Sequence, residues 1–155
     1  MTCTIIRPAV EADASEVSRV ILAALVTSNA QDYPASVIER VQASFTPNAV
    51  LHLMRQRQMF VATVDGVLVG TASLDGHAVR SVFVDPLHQG GGVGRQLLAA
   101  VEQAARQAGV IRLRVPSSVT AEGFYARLGY IRVGEHYQDQ ELTLIMERDL
   151  EHSVQ

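Results

Sequence analysis

The chain has 155 residues, 48% of them apolar and 19% charged, with a net charge of −3 and one cysteine. That length suits one domain with its own core, and the charge gives no pull toward nucleic acid. No apolar run approaches the roughly 20 residues that cross a bilayer, and the lone Cys3 excludes an internal disulfide and a cysteine metal cluster.

Residues 1–155 read as a single domain whose last few residues form a disordered tail. Met1 to Val10 carries Arg7 and Pro8 where a signal peptide needs an apolar core, so a cytoplasmic protein is expected. Cys3 to Arg7 reads as a strand ended by Pro8, which cannot donate to a ladder. From Asp13 to Val26 the apolar residues Val17, Val20, Ile21, Ala24 and Leu25 recur at helical spacing. Ser28 to Tyr33 reads as a loop. Pro34 to Ser44 is a second helix, with proline placed at its first turn, and Pro47 to Gln56 a short third.

The period then changes to two. Met59 to Val64 and Val67 to Leu74 are predicted strands joined at Asp65-Gly66, a hairpin-turn pair. Asp75-Gly76 repeats the signal before a strand from Ala78 to Val84. Gly92 to Ala108 is a long amphipathic helix stopped by Gly109. Ile111 to Val115 is a strand, Ser118 to Leu128 a helix, and Tyr130 to Tyr137 and Glu141 to Met146 are the last two strands. This order predicts a mixed, mainly antiparallel α/β (α+β) sheet of about seven strands flanked by about four to five helices.

The chemically informative segment is Val82-Phe83-Val84-Asp85-Pro86-Leu87-His88-Gln89-Gly90-Gly91-Gly92-Val93-Gly94-Arg95. A strand ends, a glycine-rich turn follows, and a helix begins. The first amides of a helix lack internal partners and sit at its positive end. Glycines let successive N–H groups converge on an anion with no Cβ in the way, and Arg95 adds a full charge. The pattern describes a phosphate cradle, although a tight connection alone would also use glycines. A nucleotide P-loop needs a lysine, and the chain has none. A dinucleotide fingerprint needs a third glycine, and Arg95, Gln96 and Leu97 follow Gly94 instead.

Gln89-x-x-Gly92-x-Gly94 after a strand resembles the cofactor loop of the GNAT N-acetyltransferase superfamily. Ser118-x-x-Ala121-x-x-Phe124-Tyr125-x-x-x-Gly129-Tyr130 is similar to that family's second motif. The resemblance covers nearly the whole chain and implies acetyl-coenzyme A as co-substrate, with no metal. It implies a sheet splayed between the strands before and after the long helix. There the backbone of Val82, Phe83 and Val84 would bond the pantetheine, and the amides from Gln89 through Gly90, Gly91, Gly92, Val93 and Gly94 to Arg95 the pyrophosphate.

Ser118 stands where the family usually has asparagine; its hydroxyl can bond the pantetheine or cap the helix. Mid-helix Gly123 costs about 1 kcal/mol against alanine, which close cofactor passage or tight packing would explain. The resemblance makes Tyr125 the general acid that protonates the departing thiolate and a further cofactor contact. A phenol of ordinary pKa, about 10, is protonated at neutral pH. The general base is open among His77, Asp75, Tyr33, His136 and a water chain, because Ala78 stands where some members carry glutamate.

The acceptor is expected to be a small-molecule or peptide amine, contacted by Tyr33, His77 and His136. Asp32 and Asp139 lie in the same stretches, and acidic residues near the pocket would favour a cationic acceptor. A homodimer is expected, with no nucleic-acid or membrane partner. The alternative reading is a non-catalytic acyl-coenzyme A sensor, and a further one is a nucleotide-binding regulatory domain.

Overall fold

A computed structural model of the chain describes residues 3–150; the expected disordered tail lies outside them. The elements are β1 (Thr4–Pro8), α1 (Ala14–Thr27), α2 (Ala35–Gln42), α3 (Pro47–Gln56), β2 (Gln58–Val64), β3 (Val67–Asp75), β4 (Ala78–Val84), α4 (Val93–Gln107), β5 (Arg112–Ser118), α5 (Glu122–Arg127), β6 (Ile131–Gln138) and β7 (Glu141–Asp149). The strands form one seven-stranded sheet in the order β1-β2-β3-β4-β5-β7-β6. Every neighbouring pair is antiparallel except β4 and β5.

Helices cover both faces of this sheet. The apolar stripe of α1 (Val17, Val20, Ile21, Leu25) is buried with Val50 of α3 and Met59 and Val61 of β2. On the other face Leu97, Leu98 and Val101 of α4 are buried with Val69, Val79, Leu113, Val115 and Met146. The absence of a side chain lets α4 lie close to the sheet at Gly70, where a Cβ would stand 2.9 Å from Leu97 Cδ1.

Local chemistry explains the ends. Thr46 caps α3, its hydroxyl accepting from the Ala49 amide at 3.2 Å, with Pro47 at the first helical position. Asp65 and Gly66 turn the β2–β3 hairpin with both φ positive. The Ser28–Tyr33 stretch contains a short 3₁₀ turn over Asn29–Gln31.

Several predicted boundaries are corrected: β1 includes Pro8, which pairs with Phe60, and the last strand, expected to end at Met146, runs to Asp149 opposite Arg112. The strand expected to end at Val115 runs to Ser118, which pairs with Thr143 of β7. The helix expected from Ser118 to Leu128 is correspondingly short, covering only Glu122–Arg127. Long-range pairing with β7 holds Ser118 extended, overriding its value as a helix start.

Candidate functional site

The site originates in a parting of the sheet. Strands β4 and β5 pair only at Ala78↔Arg114, where the Arg114 amide donates to the His77 carbonyl at 2.9 Å. The next β5 amide on that side would belong to residue 116. Pro116 has no N–H, so the ladder lacks the donor that would continue it. Strand β4 departs at the same place. Ser73 pairs with Arg80 but Thr71 with Phe83, so β4 carries an extra residue, and Ser81 there has φ 55°. Such bulges bend a strand and re-aim its side chains.

The opening is a cleft of about 920 Å³, within the usual range for ligand sites. Its walls include Val82, Phe83 and Val84 of β4, Pro116 and Ser118 of β5, and residues from helices on both faces of the sheet. Phe83 packs edge-on against Phe45 at 5.7 Å, while Val82 and Val84 pack on the α4 side.

Beyond Val84 the chain turns through Asp85, whose carboxylate caps the turn by accepting from the Leu87 amide at 3.0 Å. Arg19 of α1 holds the same carboxylate at 3.1 Å and also reaches the Leu68 carbonyl at 3.0 Å. The Leu87 amide and then Arg19 hold Asp85 below the ordinary carboxylate range against an opposing desolvation. The Gln89 side chain continues the anchoring, donating to Ser28 Oγ at 3.1 Å and the Val84 carbonyl at 3.2 Å.

Gly90 and Gly92 have φ of 84° and 88°, and a Cβ at either would meet nothing within 4 Å. The first internal bond of α4 runs from the Gln96 amide to the Gly92 carbonyl. The amides of Val93, Gly94 and Arg95 therefore have no partner inside the helix. Gly90, Gly92, Val93, Gly94 and Arg95 border the cleft; Gly91 does not. Gly94 has a packing role as well, since its Cβ would lie 3.2 Å from the Phe124 ring. The loop is thus an open cradle on the cleft, with free space at Gly90 and Gly92 and helix-start amides that no intrahelical bond uses.

Tyr125 is buried and lines the cleft from α5. Its ring packs edge-on between Phe124 (5.1 Å) and Tyr130 (5.7 Å). Tyr130 donates to Glu102 Oε2 at 2.7 Å, and Arg148 donates to the same oxygen at 2.8 Å. Among the described residues the Tyr125 hydroxyl has no hydrogen-bond partner, and burial raises its pKa above the ordinary phenol value.

The Ser118 hydroxyl accepts from the Ala121 amide at 3.2 Å, so it caps the turn into α5. Tight packing does not account for Gly123: the nearest atom to a Cβ there is the far end of Arg127 at 3.5 Å.

The three expected acceptor residues separate. Tyr33 lines the cleft and pins its wall, donating to the Leu142 carbonyl at 2.9 Å and accepting from the Val119 amide at 2.8 Å. His77 is exposed in the β3–β4 turn, away from the cleft lining. His136 is exposed on β6, beside Gln138 at 3.3 Å, in a second recess of about 300 Å³ that adjoins the cleft at Glu141 and Thr143. Asp32 and Asp139 also lie off the main cleft.

Sequence reasoning missed Arg57 and Arg80, which line the cleft at its β4 wall. It also missed Pro116, although a proline inside a β-patterned run was a readable signal of an interrupted ladder.

A family model described as an acetyltransferase (GNAT) domain matches residues 27–148. An "IAA acetyltransferase" from Azospirillum brasilense is 32% identical over 104 residues, covering 60% of this chain and 68% of that protein. Among solved structures, a GCN5-related N-acetyltransferase (Aminotransferase, Class-II) from Rhodopseudomonas palustris aligns with a TM-score of 0.89 and 26% identity, covering 94% of this chain and 95% of that one. PaiA N-acetyltransferase from Thermoplasma acidophilum, solved in complex with coenzyme A, shares the fold at a TM-score of 0.81 and 17% identity, covering 95% and 99%. With its parted sheet and glycine cradle in the matched region, the chain belongs to the GNAT acetyltransferase family.

Proposed function

We propose that the protein transfers an acetyl group from acetyl-coenzyme A to a primary amine by direct attack in a ternary complex. Acetyl-coenzyme A supplies the acyl group as an activated thioester. In this reading the amine nitrogen forms a bond to the acyl carbon as the C–S bond breaks, and the amine's surplus proton passes to solvent. The open backbone of Val82 to Val84 and the amides from Gln89 to Arg95 hold the co-substrate, with Ser118 bordering its path.

Tyr125 donates its proton to the departing sulfur and is reprotonated from solvent. The observation carrying this role is a buried phenol on the cleft whose hydroxyl has no hydrogen-bond partner among the described residues. An acyl-coenzyme A sensor would have no need of an acid there. The known acetyl-coenzyme A chemistry of the family supports the reading at the level of reaction class. We further propose a homodimer through the exposed edge strand β6.

Binding is the direct test. Saturating coenzyme A should raise Tm, because a ligand specific for the folded state stabilises it by mass action. Gly92→Glu should fold and lose this shift: its carboxylate would enter the open space and repel phosphate, while the left-handed φ costs about 1–3 kcal/mol. Gly92→Asn, which tolerates that φ, should retain more of the shift. A wild type whose transition moves no more than in matched salt would overturn the reading.

A further inference from the structure

The cleft's charged lining is dominated by arginine. It contains Arg57, Arg80, Arg95 and Arg127, against one carboxylate, Glu141. Glu141 is already held by Arg40 at 3.1 Å, and Arg80 by Asp75 at 3.3 Å. Arg57, Arg95 and Arg127 have no carboxylate within 4.0 Å among the described residues. Arg95 belongs to the glycine cradle and Arg127 to the end of α5. Arg57 is elsewhere.

Arg57 follows α3 and crosses to β4, where its Nη1 donates to Ser81 Oγ at 3.1 Å. Ser81 is the bulged residue with φ 55°. It lies about 10 Å along β4 from Val84, where the glycine loop leaves the strand, at a strand rise of about 3.3 Å per residue. Arg57 thus serves a different part of the cleft from the phosphate cradle. Unlike Arg95 and Arg127 it is partly buried, in a cleft that Phe45, Val41 and Phe83 also line. Burial and neighbouring Arg80 both disfavour its charge, and Asp75 only partly offsets them. A guanidinium on the cleft lining, bonded among the described residues to one neutral hydroxyl, keeps most of its donors unused. Its planar fork matches a carboxylate, which can accept two parallel N–H bonds from it.

We infer that the acceptor amine also carries a carboxylate, seated on the Arg57 guanidinium beside Ser81. The inference rests on the acetyl-transfer reading above and narrows its acceptor to amino acids and related aminocarboxylates. It sets aside the expectation of a cationic acceptor, because the one carboxylate that lines the cleft, Glu141, is already paired with Arg40.

The test measures thiol release from acetyl-coenzyme A with matched acceptors: amino acids, their carboxamides and the corresponding decarboxylated amines. The wild type should favour the carboxylate member at least tenfold in kcat/KM for its best amino acid. Arg57→Gln should lose that preference mainly through KM, while coenzyme A affinity, measured by calorimetry, stays unchanged. Arg57→Lys should restore part of it, having the charge without the fork. Equal use of acid and amide by the wild type overturns the inference. So does an Arg57→Gln variant that keeps the preference, or a wild type that binds coenzyme A yet turns over no carboxylate-bearing amine. A wild type that fails to bind coenzyme A instead overturns the underlying acetyl-transfer reading.

Discussion

At the residue scale the sharpest claim concerns one hydroxyl. Tyr125→Phe keeps the ring between Phe124 and Tyr130, so packing and Tm should move little. Loss of a general acid falls on the transition state, so kcat and kcat/KM should drop together with coenzyme A affinity nearly unchanged. General acid catalysis contributes about 10²–10⁴-fold, and the low end is expected because a thiolate leaves readily. The pH profile gives a second readout. An acid must be protonated to act, so activity is lost as pH rises through its pKa. Burial raises that pKa, placing the alkaline limb above the ordinary phenol value of about 10. Wild-type turnover by Tyr125→Phe under chemistry-limited conditions would make Tyr125 a packing residue.

At the element scale the cleft depends on how the β4–α4 connection is held. Asp85 ties it to α1 through Arg19 and caps its own turn at the Leu87 amide. Asp85→Asn should destabilise the protein by about 1–3 kcal/mol at neutral pH, the cost of weakening a buried hydrogen-bonded carboxylate. The folded-state pKa of Asp85 is depressed. Its stabilisation is therefore complete above the unfolded value of about 3.9 and is lost as pH falls through the folded value. Urea unfolding at pH 7 and pH 3 should show the gap between wild type and variant closing at the acid end. A gap of equal size at both pH values would rule out the ionised carboxylate as its source. The parting of β4 from β5 has a similarly local origin, in the bulge at Ser81 and the missing amide of Pro116.

At the scale of the whole molecule, the sheet ends at β6, and Ile131, Val133 and Tyr137 on that edge strand are more than half exposed. An unpaired edge with apolar side chains is a template for pairing with another chain. Light scattering at micromolar concentration should give twice the chain mass of 16.8 kDa; a monomer mass would count against the dimer. Among the described residues, no helix is long and apolar enough to cross a membrane.

The sequence by itself determined the order of elements, the two Asp-Gly turns and the glycine cradle. Each depends on neighbours in the chain: side-chain period, backbone freedom at glycine, and the unpaired amides at a helix start. Only the tertiary structure decided which distant residues share the cleft. It brought Tyr33 to the wall through bonds to Leu142 and Val119, and left His77 and His136 outside. It also carried Arg57 across the sheet to Ser81, a pairing that no local pattern announces. Ser118 became the end of a strand because Thr143 lies opposite it. These outcomes depend on sheet order and register, which bring together segments far apart in sequence, whereas periodicity reports only which face of its own element a residue occupies.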